Sequence, residues 1–331
     1  MRVLSLCDGG GGAAIALKEL GVDFTNPKNS YYAVEIDKHA RKIADANLTF
    51  IIREENDVTK ITRVWVKKHG PFDLITFGSP CQSLSNLGSR KGLDGKSRIF
   101  LDCFRVLQWA LEINPKAKYL IENVKMQEKF KKEFDKYLGS AGVLINSNLV
   151  SAQNRERYYW SNFPLPEIKR VLNPINSILD NAGPLTMALN YSSSTRYVDK
   201  DTGKIFSSPA PSRAKVMERR SYFSHKAQTL VTGTGCANNK SGTLVVTLPE
   251  DHKEINKGEI FRHDSKTTLE LLTKMLGENH STRNLSVSEC AKLQTIPAWY
   301  SFKSISENQS YKVLGNGWTI EVIKKLLKEV L

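Results

Sequence analysis

Four short apolar runs frame the first half of this 331-residue chain: R-V-L-S-L-C (2–7), Y-Y-A-V-E-I (31–36), F-D-L-I-T-F (72–77) and Y-L-I-E-N-V (119–124). Helical patterns lie among them, at 12–20, 37–47, 59–68 and 99–112. Runs this short and continuously apolar suit strands buried on both faces. Strands that alternate with helices pair in parallel, because the helix makes the return crossing. The expected fold is therefore α/β, a doubly wound, mostly parallel sheet. A helix near 126–138 and strands at 143–150 and 156–163 extend it. From about 165 to 282 the alternation stops and Ser, Thr, Asn, Gly and charged residues increase, which predicts a second, smaller, mixed domain. Within it S-R-A-K-V-M-E-R-R (212–220) reads as a cation-rich helix. Helical patterns return at 286–294 and 319–327.

Composition narrows the class. No run of about 18 apolar residues exists, so no transmembrane helix is expected, and the first residues lack the apolar stretch of a signal peptide. Five widely spaced cysteines, Cys7, Cys81, Cys103, Cys236 and Cys290, fit reduced thiols in a cytoplasm rather than a disulfide framework. No Cys or His spacing suggests a metal site. Lysine and arginine exceed the acids by 48 to 34, a net charge of +14, which favours a polyanionic partner.

The stretch S-L-C-D-G-G-G-G-A-A (5–14) joins the first strand to the first helix. Gly9, Gly11 and Ala14 fit G-x-G-x-x-G/A, a turn that lets a ligand sit against a helix N-terminus. Glu35 follows Ala14 by 21 residues, at the end of the second strand, where a carboxylate can accept from both ribose hydroxyls. Asp57, in N-D-V, could accept from an adenine amino group. A cofactor containing adenosine follows, either a dinucleotide or S-adenosylmethionine.

G-S-P-C-Q-S-L-S (78–85) puts Cys81 on a loop at the carboxyl edge of the sheet, after the turn fixed by Pro80. A thiol there can serve as a nucleophile. Glu122 ends the next strand and reaches the same edge, where it can act as a general acid. In S-A-Q-N-R-E-R-Y-Y-W (151–160), Arg155 and Arg157 share one face of a strand by their i, i+2 spacing, available to phosphate and carbonyl oxygens.

In that order, P-C-Q, E-N-V and Q-N-R-E-R behind a glycine loop resemble the DNA cytosine-5 methyltransferases. The resemblance continues in R-N-L-S-V-S-E-C-A-K-L-Q-T-I-P (283–297) and L-G-N-G-W-T-I (314–320), and covers roughly 1–164 and 283–331. R-K-G-L (90–93) and G-W-T-I look somewhat like phage enzymes and animal de novo methyltransferases. The resemblance implies a Rossmann-like, class I S-adenosylmethionine-dependent fold. Residues 1–164 would be the catalytic domain, 165–282 the target-recognition domain, and 283–331 a segment returning to the first.

By this resemblance, Cys81 attacks C6 of a cytosine flipped out of double-stranded DNA, and Glu122 bonds N3 and the 4-amino group. Arg157, with Arg155, binds the O2 side and nearby phosphate, and C5 takes the methyl group. Cofactor contacts carried over are Cys7, Asp8, Gly9, Gly10, Gly11, Gly12, Glu35, Ile36, Asp57, Val58, Pro80, Ile99, Asn316 and Trp318. Ile36 would stack on adenine. The segment 83–98 resembles a catalytic loop, with Arg90, Lys91, Lys96 and Arg98 for phosphates and Leu87 for the gap left by the flipped base. In the middle region Arg213, Lys215, Arg219 and Arg220 suit phosphates, and Thr234, Asn238, Asn239 and Lys240 suit base edges. This sequence departs from the family pattern at Cys7, where phenylalanine is usual, at Gly10, where a larger residue is usual, and at Gly317, where serine is common. A pliable loop and weakened cofactor binding are the expectation. The expected partner is DNA alone, for a monomer in the bacterial cytoplasm. The expected role is restriction–modification, beside a cognate endonuclease, or phage DNA protection. A silent DNA-binding homologue and a dinucleotide-dependent oxidoreductase are the competing readings.

Overall fold

The computed structural model describes residues 1–80, 98–180, 186–191, 196–198, 205–207, 215–224, 227, 243–247, 261–263 and 281–331. The first half alternates strand and helix: β1 (Arg2–Leu6), α1 (Gly12–Glu19), β2 (Ser30–Val34), α2 (Lys38–Asn47), β3 (Ile51–Ile52), α3 (Arg63–His69), β4 (Leu74–Gly78), α4 (Ile99–Ile113), β5 (Lys118–Val124), α5 (Glu128–Leu138), β6 (Val143–Asn146) and β7 (Glu156–Ser161). These strands form one sheet in the order β3-β2-β1-β4-β5-β7-β6. Neighbours from β3 to β5 are parallel, and β7 runs antiparallel to both β5 and β6. From β1 the chain winds outward to β3, then restarts on the other side at β4. The crevice above the carboxyl ends of β1 and β4 is therefore the switch point where such sheets bind ligands.

Burial explains the strands. Val3, Leu4 and Leu6 of β1 are wholly buried, as are Ile75 and Phe77 of β4, because helices cover both faces. On one face Ala13–Leu17 of α1 pack with Ile320, Ile323 and Leu326. On the other, Phe100, Cys103 and Leu107 of α4 pack with Phe72, Phe77 and Phe134.

A second sheet follows, made of β8 (Thr186–Tyr191), β9 (Arg196–Val198), β10 (Ile205–Ser207), β11 (Lys215–Ser224), β12 (Thr243–Thr247), β13 (Phe261–His263) and β14 (Ser281–Asn284). Its order is β10-β9-β11-β8-β12-β14, with β13 on β11, and every pairing is antiparallel. Three helices end the chain: α6 (Val287–Leu293), α7 (Glu307–Asn316) and α8 (Ile320–Leu327). A third cluster ties Ala227 and Val245 to Leu293, Tyr311 and Leu314. No helix among the described residues is long and apolar enough to cross a membrane.

Three sequence expectations need correction, and one helix went unpredicted. The cation-rich stretch read as a helix is strand β11 from Lys215 on. Its Lys, Met, Glu and Arg favour a helix locally, but the ladders to β8, β9 and β13 override that preference. The strand expected over 143–150 stops at Asn146, whose side chain accepts from Asn148 N and caps a short 3-10 turn. The helix expected from 59 begins at Arg63, after a 3-10 turn capped by Asp57. Helix α7 was not legible: it buries Ser310, Tyr311, Leu314 and Gly315, a face with too few apolar side chains to show a period.

Candidate active site

The glycine loop is anchored at several points. Asp8 N donates to Val34 O at 3.1 Å. Gly9 N donates to Glu35 Oε2 at 2.8 Å, and Asp37 N to Glu35 Oε1 at 2.7 Å. Gly9 and Gly11 take left-handed φ angles of 58° and 82°, and Gly11 is the N-cap of α1. Tyr300 Oη donates to Gly10 O at 2.7 Å. A Cβ at position 10 would lie 3.0 Å from Val313 Cγ1 and 3.2 Å from Tyr300 Oη. The C-terminal segment thus fills the space a larger residue would take, and the loop is held rather than pliable. Cys7 also has a positive φ, 50°, and its Sγ lies 3.8 Å from that of buried Cys103.

Beside the loop sits a buried charge. Asp8 Oδ1 accepts from Tyr31 Oη at 2.7 Å, while Oδ2 lies 3.9 Å from Arg53 Nη2 and has no hydrogen-bond partner among the described residues. Desolvation pushes the Asp8 carboxyl up from 3.8 to about 6, against the lowering effects of Tyr31 and Arg53.

A cavity of about 370 Å³ opens above the switch point, and it gathers Cys7, Gly9, Glu35, Ile36, Asp57, Val58, Pro80, Ile99, Glu122, Arg155, Arg157 and Asn316. Ile36 is 71% exposed at its wall. Asp57 accepts from Thr59 N and Oγ1 at 3.0 and 2.7 Å, contacts that hold its carboxyl below the usual range. A smaller cavity of about 50 Å³ lies on the other side of the loop, lined by Asp8, Gly10, Gly12 and Trp318 and sharing Cys7, Gly9, Gly78 and Asn316 with the first. Gly11 lines neither; it packs toward Leu48.

Glu122 sits in register with Gly78 of β4 and Tyr159 of β7, at 8% exposure. Its Oε1 meets Arg157 Nε at 2.9 Å, and its Oε2 accepts from Trp318 Nε1 at 3.0 Å. Arg155 behaves differently from its neighbour. It is buried, and Nη2 donates to Gly315 O at 3.1 Å and Gly317 O at 2.8 Å. The two arginines share the cavity wall, but one holds a carboxylate and the other a backbone turn. Asn123 Nδ2 donates to Ser79 Oγ at 3.0 Å, fixing the end of β4 just before Pro80.

Arg98 is exposed at the start of α4. Cys81, Leu87, Arg90, Lys91, Lys96, Arg213, Thr234, Asn238, Asn239 and Lys240 lie outside the described residues, as do the side chains of Lys215, Arg219 and Arg220 on β11. The sequence reading missed Tyr31, Arg53, Gln294 and Tyr300. Gln294 Nε2 donates to Leu314 O at 2.7 Å, and its Oε1 accepts from Thr319 Oγ1 at 2.8 Å, so it holds the turn that carries Trp318. Gln294 lies in the stretch 283–297 and Tyr31 opens the second apolar run, but nothing local marks a site role for Tyr31, Arg53 or Tyr300.

The site fits an S-adenosylmethionine-dependent enzyme. Glu35 is preset by two backbone donors, Ile36 offers bare apolar surface, and Asp8 Oδ2 is a buried acceptor with no hydrogen-bond donor among the described residues. The sequence model described as C-5 cytosine-specific DNA methylase matches residues 1–331. Among curated proteins, type II methyltransferase M1.ScrFI of Lactococcus lactis subsp. cremoris is 25% identical over 346 residues, covering 96% of this chain and 76% of its own. Type II methyltransferase M.FnuDI of Fusobacterium nucleatum is 25% identical over 366 residues, covering 100% of this chain and 95% of its own. Among solved structures, S. pombe Dnmt2 methyltransferase superposes with a TM-score of 0.65 at 20% identity, over 100% of this chain and 98% of that one, a likeness of fold. With the family match running over all 331 residues, the chain belongs to the C-5 cytosine-specific DNA methylases.

Proposed function

We propose that the protein methylates C5 of a cytosine flipped from double-stranded DNA, with Cys81 as nucleophile and Glu122 as the acid that addresses the ring. The observation that carries this reading is the Glu122 carboxylate, held at both oxygens in the crevice beside Pro80, the residue before Cys81. Orientation of an acid is what ring activation needs: attack on C6 requires N3 to be protonated as electron density moves into the ring. The Cys81 thiolate forms the S–C6 bond, and the C5=C6 pair becomes carbon-nucleophilic at C5. Once C5 carries the methyl group, transfer of its proton to water re-forms the C5=C6 double bond and expels the thiolate. Arg157 keeps Glu122 in place and offers its remaining donors to the O2 side of the base.

S-adenosylmethionine, when bound, supplies an electrophilic methyl group. Glu35 would accept from the ribose hydroxyls, Ile36 would cover the adenine, Asp57 would meet its amino group, and Asp8 would pair with the methionine ammonium. The N-terminus of α1 would face the methionine carboxylate. The net charge of +14 supports a polyanionic substrate, with Arg90, Lys91, Lys96 and Arg98 on phosphates and the 165–282 region reading bases. The type II names of the two relatives favour protective methylation beside a restriction endonuclease.

Bisulfite sequencing of DNA from cells expressing the protein reports activity and target sequence together. Cys81→Ser should abolish methylation and covalent trapping on DNA containing 5-fluorocytosine. Methylation persisting at the unmodified rate in that variant would remove Cys81 from the reaction.

A further inference from the structure

Trp318 lies in the turn between α7 and α8, and its indole spans two parts of the site. One end faces the cofactor loop: a Cβ on Gly12 would meet Trp318 Cβ at 3.5 Å. The other end carries the N–H that donates to Glu122 Oε2 at 3.0 Å. Room for this contact comes from Gly78. A Cβ there would stand 2.7 Å from Trp318 Nε1 and 3.0 Å from Glu122 Oε2, closer than either group could tolerate in place. The turn itself is fixed from behind. Arg155 donates to Gly315 O and Gly317 O, and Gln294 bonds Leu314 O and the Thr319 hydroxyl.

We infer that Trp318 is a positioning residue for Glu122, and not only a wall of the cofactor pocket. The inference rests on the catalytic reading given above. A carboxylate has two oxygens and a free torsion about its last bond. Arg157 restrains one oxygen through Nε; with that contact alone the group can still swing. The indole N–H fixes the second oxygen and so sets the plane of the carboxylate. An indole nitrogen can only donate, so it holds the acceptor oxygen without ever competing for the proton that Glu122 handles. Because the same ring borders the glycine loop, whatever fills that side of the pocket also limits how far Glu122 can move.

Trp318→Phe keeps an aromatic ring and removes the donor. Three measurements on the full chain separate the roles: kcat with saturating cofactor, Kd for S-adenosylhomocysteine by calorimetry, and tritium release from DNA carrying [5-³H]cytosine without any methyl donor. The last reports reversible addition at C6 alone, because the adduct exchanges its C5 hydrogen with water. Removing one hydrogen bond to a charged group predicts roughly 10- to 100-fold lower kcat and tritium release, with Kd within about threefold. Gly78→Ala should give the same pattern by displacing the indole, and in a Glu122→Gln background Trp318→Phe should add little further loss. Wild-type rates of methylation and tritium release in Trp318→Phe would overturn the inference while leaving the methyltransferase reading intact. A loss confined to Kd would do the same, by making the ring a cofactor wall alone. A wild-type protein that neither methylates DNA nor releases tritium would overturn both.

Discussion

The two walls of the crevice are built by different means. Near β1 and β2 the contacts are mostly backbone groups meeting partners close in sequence: Asp8 N with Val34 O, and Gly9 N with Glu35, 26 residues apart. Near β4 and β5 the contacts are side chains meeting side chains, and Trp318 reaches Glu122 across 196 residues of sequence. On the proposed function, the difference separates binding from turnover. The backbone part of the first wall is shaped as its βαβ unit folds, and Tyr300 adds a clamp on Gly10 O once the C-terminal segment docks. A wall made of distant side chains exists only when the C-terminal turn has docked.

Damage to each wall should therefore read out differently. Glu122→Gln should have the largest effect, lowering methyl transfer by about 10²- to 10⁴-fold while leaving cofactor affinity within about threefold. A comparable loss of affinity would mean that the walls are not separate. Glu35→Ala should do the reverse. It removes the acceptor for Gly9 N and Asp37 N and for the ribose, so calorimetry should show roughly 10- to 100-fold weaker cofactor binding, with kcat largely recovered at saturation. Failure of kcat to recover would show that the loop also shapes the catalytic wall.

Asp8→Asn tests the buried charge behind the loop. The folded Asp8 carboxyl titrates near 6, above its ordinary 3.8, so ionising it costs stability. The cost is absent below about pH 4, grows as pH rises through that interval, and is complete above it. The neutral amide should therefore raise the melting temperature at pH 8, by a few degrees for a cost on the order of 2 kcal/mol, and give no advantage at pH 4. The same variant should bind the cofactor more weakly, since an amide oxygen accepts from an ammonium group without the charge of a carboxylate. A melting difference independent of pH would show that Asp8 is not the titrating group. The smallest effect is expected from Tyr300→Phe, which removes one hydrogen bond to the loop and should cost about 1 kcal/mol. A thermal melt with a cofactor titration would show whether a loop released at Gly10 binds less well.

Much of this was legible. Continuous apolar strands with helices between them fixed a doubly wound sheet, and strand ends put Glu35 and Glu122 at one edge. The glycine-rich stretch was readable as a strand-to-helix turn that admits a ligand, and Gly9 and Gly11 take positive φ within it. What failed to show locally was the company each residue keeps. Arg155 and Arg157 look equivalent in Q-N-R-E-R, yet Arg155 reaches the carbonyls of Gly315 and Gly317 while Arg157 reaches the Glu122 carboxylate. The absence of bulk at position 10 looks like slack, but Tyr300 and Val313 take up the space. Lys215–Ser224 carries helix formers, and its partner strands make it a strand.

By itself the sequence determined a doubly wound sheet, the carboxyl edge where ligands bind and the chemical inventory set along it, because hydrophobic period and turn chemistry act over a few neighbouring residues. Only the tertiary structure decided which donor holds which oxygen of Glu122, and that the loop is firm. Those choices depend on side chains brought together through space from distant parts of the chain, and a linear pattern carries no record of such distances.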